Sequence, residues 1–448
     1  MTVSQSGEAL ELFVPGRLCL FGEHSDWAGA MRKYNPDIVP GRTIVVGTEQ
    51  GLYARVLPLA QPVLRLRSTK DDGTTAEREF PLDADLLAQE AQAGGFWSYA
   101  AGTAYRLLVD FGVGGLSIDN YRTTLPLKKG LSSSAALCVL VARAFNRIYG
   151  LRLTTRGEMQ YAYEGERMTP SQCGKMDQAC AFGSTPVLMT YDGDVLSVAG
   201  AAVAAPLHLV LVDLAASKDT VVILEGLQSA FPHPTTPEQR ACVELLGPIN
   251  ADVTSRALAL MAAGDVQQLG ALMSEAQRLF TARATPLCPS QLTSPVLHAV
   301  LSHPPIQHLI YGGKGVGSQG DGTAQLLCRG AAEQAEVCRI IEASFPGMAC
   351  MPFTVPPTKG AAPAAGGATS AAMCAATPSA GEAGLAANGT SSSSVGGAAN
   401  GAAASAAAGL QAGLQQGLAA VAPKQKELQA AQQRLADLQA AAAAGGVQ

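Results

Sequence analysis

The chain has 448 residues, of which 15% are charged and 5% aromatic, and its formal net charge is −5. That length leaves room for roughly two or three domains around a sizeable core. The mildly acidic balance excludes nucleic-acid recognition through a general basic surface, so any bound phosphate must be held by local dipoles and a few placed cations.

In chain order, Leu12–Phe21 and Thr43–Leu57 are rich in strand formers, punctuated by Pro15-Gly16 and Gly22. Phe96–Phe111 carries apolar residues at helical spacing. The run Gly130–Ser134 opens onto a predicted helix over Ala135–Tyr149, and another is expected over Arg156–Met168. A strand pair is expected from Val187–Met189 and Leu207–Asp213. Beyond it the pattern turns helical: Thr220–Phe231, Pro237–Leu246, Asp252–Ala263, Asp265–Phe280 and a piece near Pro295. The Gly-rich segment Gly312–Gly322 then leads into a strand over Thr323–Cys328. The reading is an α+β body with a boundary near 200–206.

From Gly360 to Gln448 the only charges are Glu382, Lys424, Lys426, Glu427, Arg434 and Asp437, and there is no aromatic residue. Such an Ala, Gly, Ser and Pro tail, starting near 357, is expected to be disordered, because it cannot bury enough apolar surface to offset chain entropy. The leucines spaced between Leu410 and Leu438 leave room for a short helix over 410–440, solvated rather than a coiled coil.

The ten cysteines are scattered without a C-x-x-C pair, which argues against zinc ribbons and fits a reducing compartment. The first residues carry no apolar signal core. The longest uncharged apolar stretch, between Asp194 and Asp213, is broken by Gly200, Pro206 and His208. Its flanks read as two buried strands rather than as a membrane span. A soluble, cytoplasmic protein acting on small molecules is expected, with no nucleic-acid or membrane partner; the oligomeric state is not legible.

Three segments carry chemistry. In Gly130-Leu131-Ser132-Ser133-Ser134-Ala135-Ala136, small and hydroxyl residues leave backbone N–H groups open at a helix start, which suits a polyphosphate. A serine there also offers oxygen to Mg²⁺; the plain alternative is a Ser-rich N-cap without a ligand. This is not a Walker A loop. Gly315–Gly320 matches G-x-G-x-x-G, but the expected strand after it argues against dinucleotide binding.

In Pro15–Trp27, a strand delivers Arg17 and then Glu23, His24 and Asp26, a cluster able to grip several hydroxyls of a polyol, or else a charged loop; the spacing lacks the H-E-x-x-H pattern of a metal site. In Glu164–Gln178, Pro170 and Gly174 place Asp177 in a turn or at a helix start, where an Asp is most often a cap.

Taken together and in order, Pro15–Trp27, Gly130–Ala136 and Gly312–Gly322 resemble the three motifs of the GHMP small-molecule kinases. The Glu-His-x-Asp-aromatic ending and Cys173-Gly174-Lys175-Met176-Asp177-Gln178 resemble galactokinases, whereas Gly165-Glu166-Arg167-Met168 is more like mevalonate kinases. Phe96–Tyr99 resembles the aromatic-containing helix beside the galactokinase nucleotide site.

The resemblance implies an N-terminal ATP-binding domain of mixed α/β structure over 1–205, a helix-rich α+β domain over 206–356 and the tail over 357–448. It also implies transfer of a phosphoryl group from ATP, with Mg²⁺, to a monosaccharide, at the anomeric hydroxyl. By the same resemblance Asp177 is the base or orienting carboxylate, and Arg17 lies beside it. Ser134 and Glu166 hold Mg²⁺. Gly130, Leu131, Ser132, Ser133, Ser134, Ala135 and Trp97 bind ATP. Glu23, His24, Asp26 and Asp177 bind the sugar.

The rival readings are a mevalonate-type small-alcohol kinase and a catalytically silent sensor of sugar and ATP. Two departures stand out. Motif three reads Gly-Lys-Gly-Val-Gly-Ser-Gln-Gly-Asp-Gly rather than an unbroken glycine cluster. An insertion over residues 30–42 carries Arg32, Lys33 and Arg42 beside the presumed sugar site; it reads as a surface loop, or else its cations recognise an acidic or phosphorylated sugar.

Overall fold

The computed structural model describes residues 9–70, 72–125, 131–171 and 173–358. The expected tail and the helix over 410–440 lie outside the described residues, as does Gly130.

The first sheet has seven strands: β1 (Leu10–Phe21), β2 (Gly41–Leu59), β3 (Val63–Thr69), β4 (Thr75–Pro81), β5 (Gly115–Thr123), β6 (Val187–Asp192) and β7 (Val195–Gly200). Its axis is β2, a 19-residue strand. β1 runs antiparallel along β2, β5 pairs with its C-terminal part and β6 with its N-terminal part. β3 joins β5 in parallel, β4 closes that side and β7 the other.

Interleaved with these strands are α1 (Ser25–Ala30), α2 (Ala84–Ala93), α3 (Ser98–Phe111), α4 (Ser133–Tyr149) and α5 (Thr155–Arg167). α4 is almost wholly buried, and its run of Ala135, Ala136, Ala142 and Ala144 lets it sit close to the sheet. Phe21, Leu18, Ile44, Val46, Leu140 and Phe145 belong to this core and are buried.

The second sheet has four antiparallel strands in the order β11-β8-β10-β9: β8 (Leu207–Asp213), β9 (Ile310–Gly315), β10 (Thr323–Cys328) and β11 (Ala349–Val355). The helices of this part are α6 (Thr220–Gln228), α7 (Pro237–Glu244), α8 (Asn250–Ala263), α9 (Val266–Ala284), α10 (Pro289–Leu292), α11 (Pro295–Leu301) and α12 (Ala331–Ser344). Val210, Val212, Leu326, Leu297, Val300, Val337 and Ile341 form the core between this sheet and α11 and α12.

Two expectations are corrected. β6 and β8 do not pair: β6 lies between β2 and β7, and β8 begins the second sheet. Of the two flanks of the 194–213 stretch only β8 is buried, since β7 alternates between exposed and half-buried residues. The helices expected over Pro237–Leu246 and Asp252–Ala263 are joined by one π-helical turn, Leu245–Ile249, which accommodates Pro248.

The strand expected after the G-x-G-x-x-G match is present as β10, antiparallel to β9, so that segment turns between two strands instead of opening a helix. Thr358 is tied to Val203, its N–H donating to the carbonyl at 2.9 Å and its Oγ1 accepting from Val203 N–H at 3.0 Å, so the folded part runs past 356. Among the described residues no helix is long and apolar enough to cross a membrane, and the nine described cysteines are all free thiols.

Candidate active site

Arg17 sits in β1 between two register shifts, after Pro15 and after Cys19, which re-aim this strand where it passes α4. Its N–H donates to the Leu131 carbonyl at 3.1 Å, which fixes motif one against motif two. Its guanidinium is ion-paired with Asp177, the Nε–Oδ1 distance being 3.1 Å. Asp177 is the first residue of a 3₁₀ turn, Asp177–Phe182, so the turn expectation holds. Ser132 Oγ donates to the same Oδ1 at 2.9 Å. Both donors meet one carboxylate oxygen, and among the described residues Oδ2 has no hydrogen-bond partner.

Ser132 is the N-cap of α4, yet its hydroxyl makes no capping bond and its backbone is left-handed at φ 56°. That combination turns the hydroxyl to Asp177 and leaves the positive end of α4 without a side-chain cap. Among the non-glycine residues with positive φ, His24, Ser132 and Gln319 fall one in each of the three motifs. Strain of this kind persists where the surrounding structure over-determines it, commonly at functional sites.

Glu166, at the end of α5, is buried at 1% exposure and accepts from Ser134 Oγ and Gln178 Nε2, each at 2.8 Å. Burial, and then the charge of Asp177, push its carboxyl up to about 7 against the pull of those donors. A hydroxyl and a carboxylate short of positive charge form an oxygen donor set that fits Mg²⁺, whose remaining ligands would be phosphate and water. Among the described residues no three His, Cys, Asp or Glu side chains gather as a metal cluster.

Asp26, in α1, is buried, and its carboxyl is raised to about 6 by burial and by Asp177, with the Trp27 and Met176 backbone N–H groups and Arg17 opposing. Gly174 makes this approach possible, since a Cβ there would stand 1.7 Å from Asp26 Oδ2. His24 is buried between Trp27, which donates Nε1–H to Nδ1 at 3.1 Å, and Phe280, stacked at 5.9 Å. Burial holds its basicity down to about 4 against the opposing pull of the Ser318 backbone, helped by the charges of Lys218 and Lys314. With Nδ1 accepting, the ring proton is assigned to Nε2, which makes no hydrogen bond of ordinary geometry although the Ser318 backbone lies beside the ring.

Glu23 is engaged in a buried ion pair with Lys314 of motif three. Sequence reasoning missed Lys314, Lys218 and the bond from Ser132 to Asp177. The lysine within Gly-Lys-Gly was the available signal for the first. Leu131 and Ala135 are buried, whereas Ser132, Ser133 and Ser134 are partly exposed. Trp97 stands at the N-terminus of α3, edge-on to Phe80 and Phe96.

The insertion forms a 3₁₀ turn over Met31–Lys33, buries Ile38 and runs into β2 at Gly41. Arg32 pairs with Asp192 at 2.6 Å and Lys33 with Asp194 at 3.0 Å, while Arg42 donates to Ser255 Oγ at 2.8 Å. Arg32 and Lys33 are thereby paired with acids of the β6–β7 hairpin, while Arg42 meets only a neutral hydroxyl of α8.

Residues 98–184 match the family model described as the GHMP kinases N terminal domain. The whole described body overlays on enzymes of that kind. The chain has the GHMP kinase fold. The described body is similar to Lactococcus lactis galactokinase complexed with galactose, with a TM-score of 0.59 at 17% identity over 78% of this chain and 94% of that one. It is also similar to L. major mevalonate kinase in complex with R-mevalonate (TM-score 0.57, 17% identity, 80% and 99%). A third similar structure is Methanococcus jannaschii mevalonate kinase (0.59, 14%, 78% and 99%). No curated protein matches the chain in sequence. The matched GHMP segment and the fold together support phosphotransferase activity.

Proposed function

We propose that this protein is an ATP- and Mg²⁺-dependent kinase that phosphorylates a monosaccharide, at its anomeric hydroxyl. The observation that carries this reading is the convergence of Arg17, Ser132 and Asp177 at the start of α4, with Ser134 and Glu166 beside them. The triphosphate lies at the α4 N-terminus, along Leu131–Ala135. Ser134 and Glu166 hold Mg²⁺, which supplies neutralisation of charge on the phosphates when bound.

Asp177 Oδ2 accepts the proton of the acceptor hydroxyl, whose oxygen bonds to the γ-phosphorus as the bond from that phosphorus to the bridging β,γ-oxygen breaks and ADP leaves. Arg17 stays bound to Oδ1, keeping the carboxylate oriented and offering charge to the transferring group. Fixing two substrates in line supplies roughly 7–11 kcal/mol of such a barrier. His24 and Asp26 contact sugar hydroxyls, and Glu23 sets that loop through Lys314. The site divides between an ATP-binding part up to residue 205, where β7 has ended, and a second part that begins with β8.

ADP release across a panel of galactose, arabinose, fucose, heptose phosphates, uronic acids and mevalonate tests the reading. Turnover with a sugar supports it. Turnover with mevalonate alone, or sugar-induced thermal stabilisation without any turnover, overturns it.

A further inference from the structure

The nine described cysteines divide by exposure: six are buried, while Cys173, Cys338 and Cys350 are only partly so. Cys173 belongs to the active site, beside Gln178. The other two lie on the second sheet and the helix that covers it. The phosphotransfer reading uses neither.

Cys350, in β11, stands opposite Val212 of β8. Residues directly opposite in an antiparallel pair send their side chains to the same face, and Val212 packs in the core with Val337 and Ile341 of α12. The Cys350 thiol therefore faces α12. Its backbone is held there too, its N–H donating to Glu342 Oε1 at 3.0 Å. Cys338 lies one turn before Glu342 on the same face of α12, and both cysteines pack against that core. The two thiols share a hydrogen bond, the largest influence on either. It holds the Cys338 thiol below its ordinary value, against burial and the charge of Glu342, and pushes that of Cys350 up. Cys338 is thus the sulfur with thiolate character. Among the described residues no three His, Cys, Asp or Glu side chains form a metal cluster, so the pair stands as a dithiol.

We propose that Cys338 and Cys350 are a thiol-redox site, closing reversibly to a disulfide by exchange with a low-molecular-weight disulfide of the glutathione class. The Cys338 thiolate attacks one sulfur of that disulfide, whose S–S bond breaks and releases one small thiolate, which takes up a proton. Cys350 gives its proton to solvent and attacks the Cys338 sulfur, and the second small thiol leaves. The two protein thiols lose two electrons together, and the small disulfide is reduced to two thiols. The new bond staples β11, the outer strand of the second sheet, to α12. In a reducing compartment such a bond is transient and responds to the thiol pool.

Trypsin cuts after Arg329, Arg339 and Lys359, which leaves each cysteine alone in its own peptide, 330–339 and 340–359. The test incubates the native full-length chain with oxidised glutathione, blocks the remaining thiols with iodoacetamide and weighs the tryptic peptides. The expected result is the two peptides joined, lighter than their sum by two hydrogens, and parted again when the chain is treated with dithiothreitol before blocking. Recovery of both peptides separately alkylated overturns the proposal, as does joining of Cys338 to any other cysteine. This readout needs no variant.

The order of attack is read from single substitutions. In Cys350→Ser the exchange stops at its first step, and peptide 330–339 carries a glutathione adduct. In Cys338→Ser, peptide 340–359 carries roughly tenfold less adduct at the same time point, because its thiol lacks the activated partner. The reverse asymmetry overturns the assignment of Cys338 as the attacking sulfur. Two thiols that merely fill space would show neither the joined peptides nor the asymmetry. The outcome is independent of the acceptor panel, so this proposal and the kinase reading stand or fall separately.

Discussion

At the scale of single residues, the two oxygens of Asp177 have different employment. Oδ1 carries Arg17 and Ser132, so Oδ2 is the one left for a proton. Asp177→Asn is therefore expected to lower turnover roughly 10²- to 10⁴-fold, with ATP affinity retained by equilibrium titration. Near-parental turnover would remove Asp177 from the chemistry.

Glu166 supplies a second residue-scale test. Its folded carboxyl is raised to about 7 from an ordinary 4.5. The folded state therefore binds the proton more tightly than the unfolded state, and this group's favourable contribution is complete below pH 4.5 and is lost as pH climbs through 7. Asp26, raised to about 6, acts in the same sense, while His24, lowered to about 4, costs stability as pH falls below 6.5. Glu166→Gln should flatten the decline of melting temperature between pH 5 and 7.5 measured without ligand, and should weaken Mg²⁺-dependent activity. An unchanged profile would mean that the buried acid does not titrate there.

At the scale of elements, long strands and capped helices were legible, while the short strands between them were not. Val63-Leu64-Arg65-Leu66-Arg67 does alternate, and Leu64 and Leu66 are the buried members, but seven residues with two arginines carry little periodic weight. α12 shows only Gln334, Val337 and Ile341 inward, a pattern diluted by alanine and glutamate. β6 and β8 looked like a pair because both are apolar and near in sequence; which sheet each joins is decided by β2 and β10, contacts that no local window contains.

For the site, motif residues were readable because glycine and serine runs are rare and ordered. Lys218 and Lys314 were not, since an isolated lysine reads as surface until its burial is known. The loop between β1 and α1 depends on Gly22, whose φ is +91° and whose added Cβ would lie 2.0 Å from the Arg42 carbonyl oxygen. Gly22→Ala should cost about 2 kcal/mol or more of unfolding free energy in denaturant titration. A loss below a few tenths would show that this turn relaxes freely.

On the scale of the whole molecule, the composition of the tail predicts that it contributes nothing to catalysis. Removing residues 360–448 should leave kcat and melting temperature unchanged. A cut before Pro357 removes Thr358 and its bonds to Val203, and should lower the melting temperature by several degrees, since about 1–3 kcal/mol of hydrogen bonding is lost. Equal behaviour of the two truncations would show that the strap at Thr358 is dispensable.

The buried pair of Glu23 and Lys314 has a consequence for biogenesis. A ribosome that has released the first sheet has made Glu23 but not yet its cation, and the Cys19 carbonyl still awaits Gln325, which donates to it at 3.0 Å. The sugar-side loop therefore matures only after Lys314 and Gln325 have been synthesised, more than two-thirds of the way along the polypeptide. Splitting the gene between the two sheets should give an N-terminal fragment that regains its loop only when the C-terminal fragment is co-expressed.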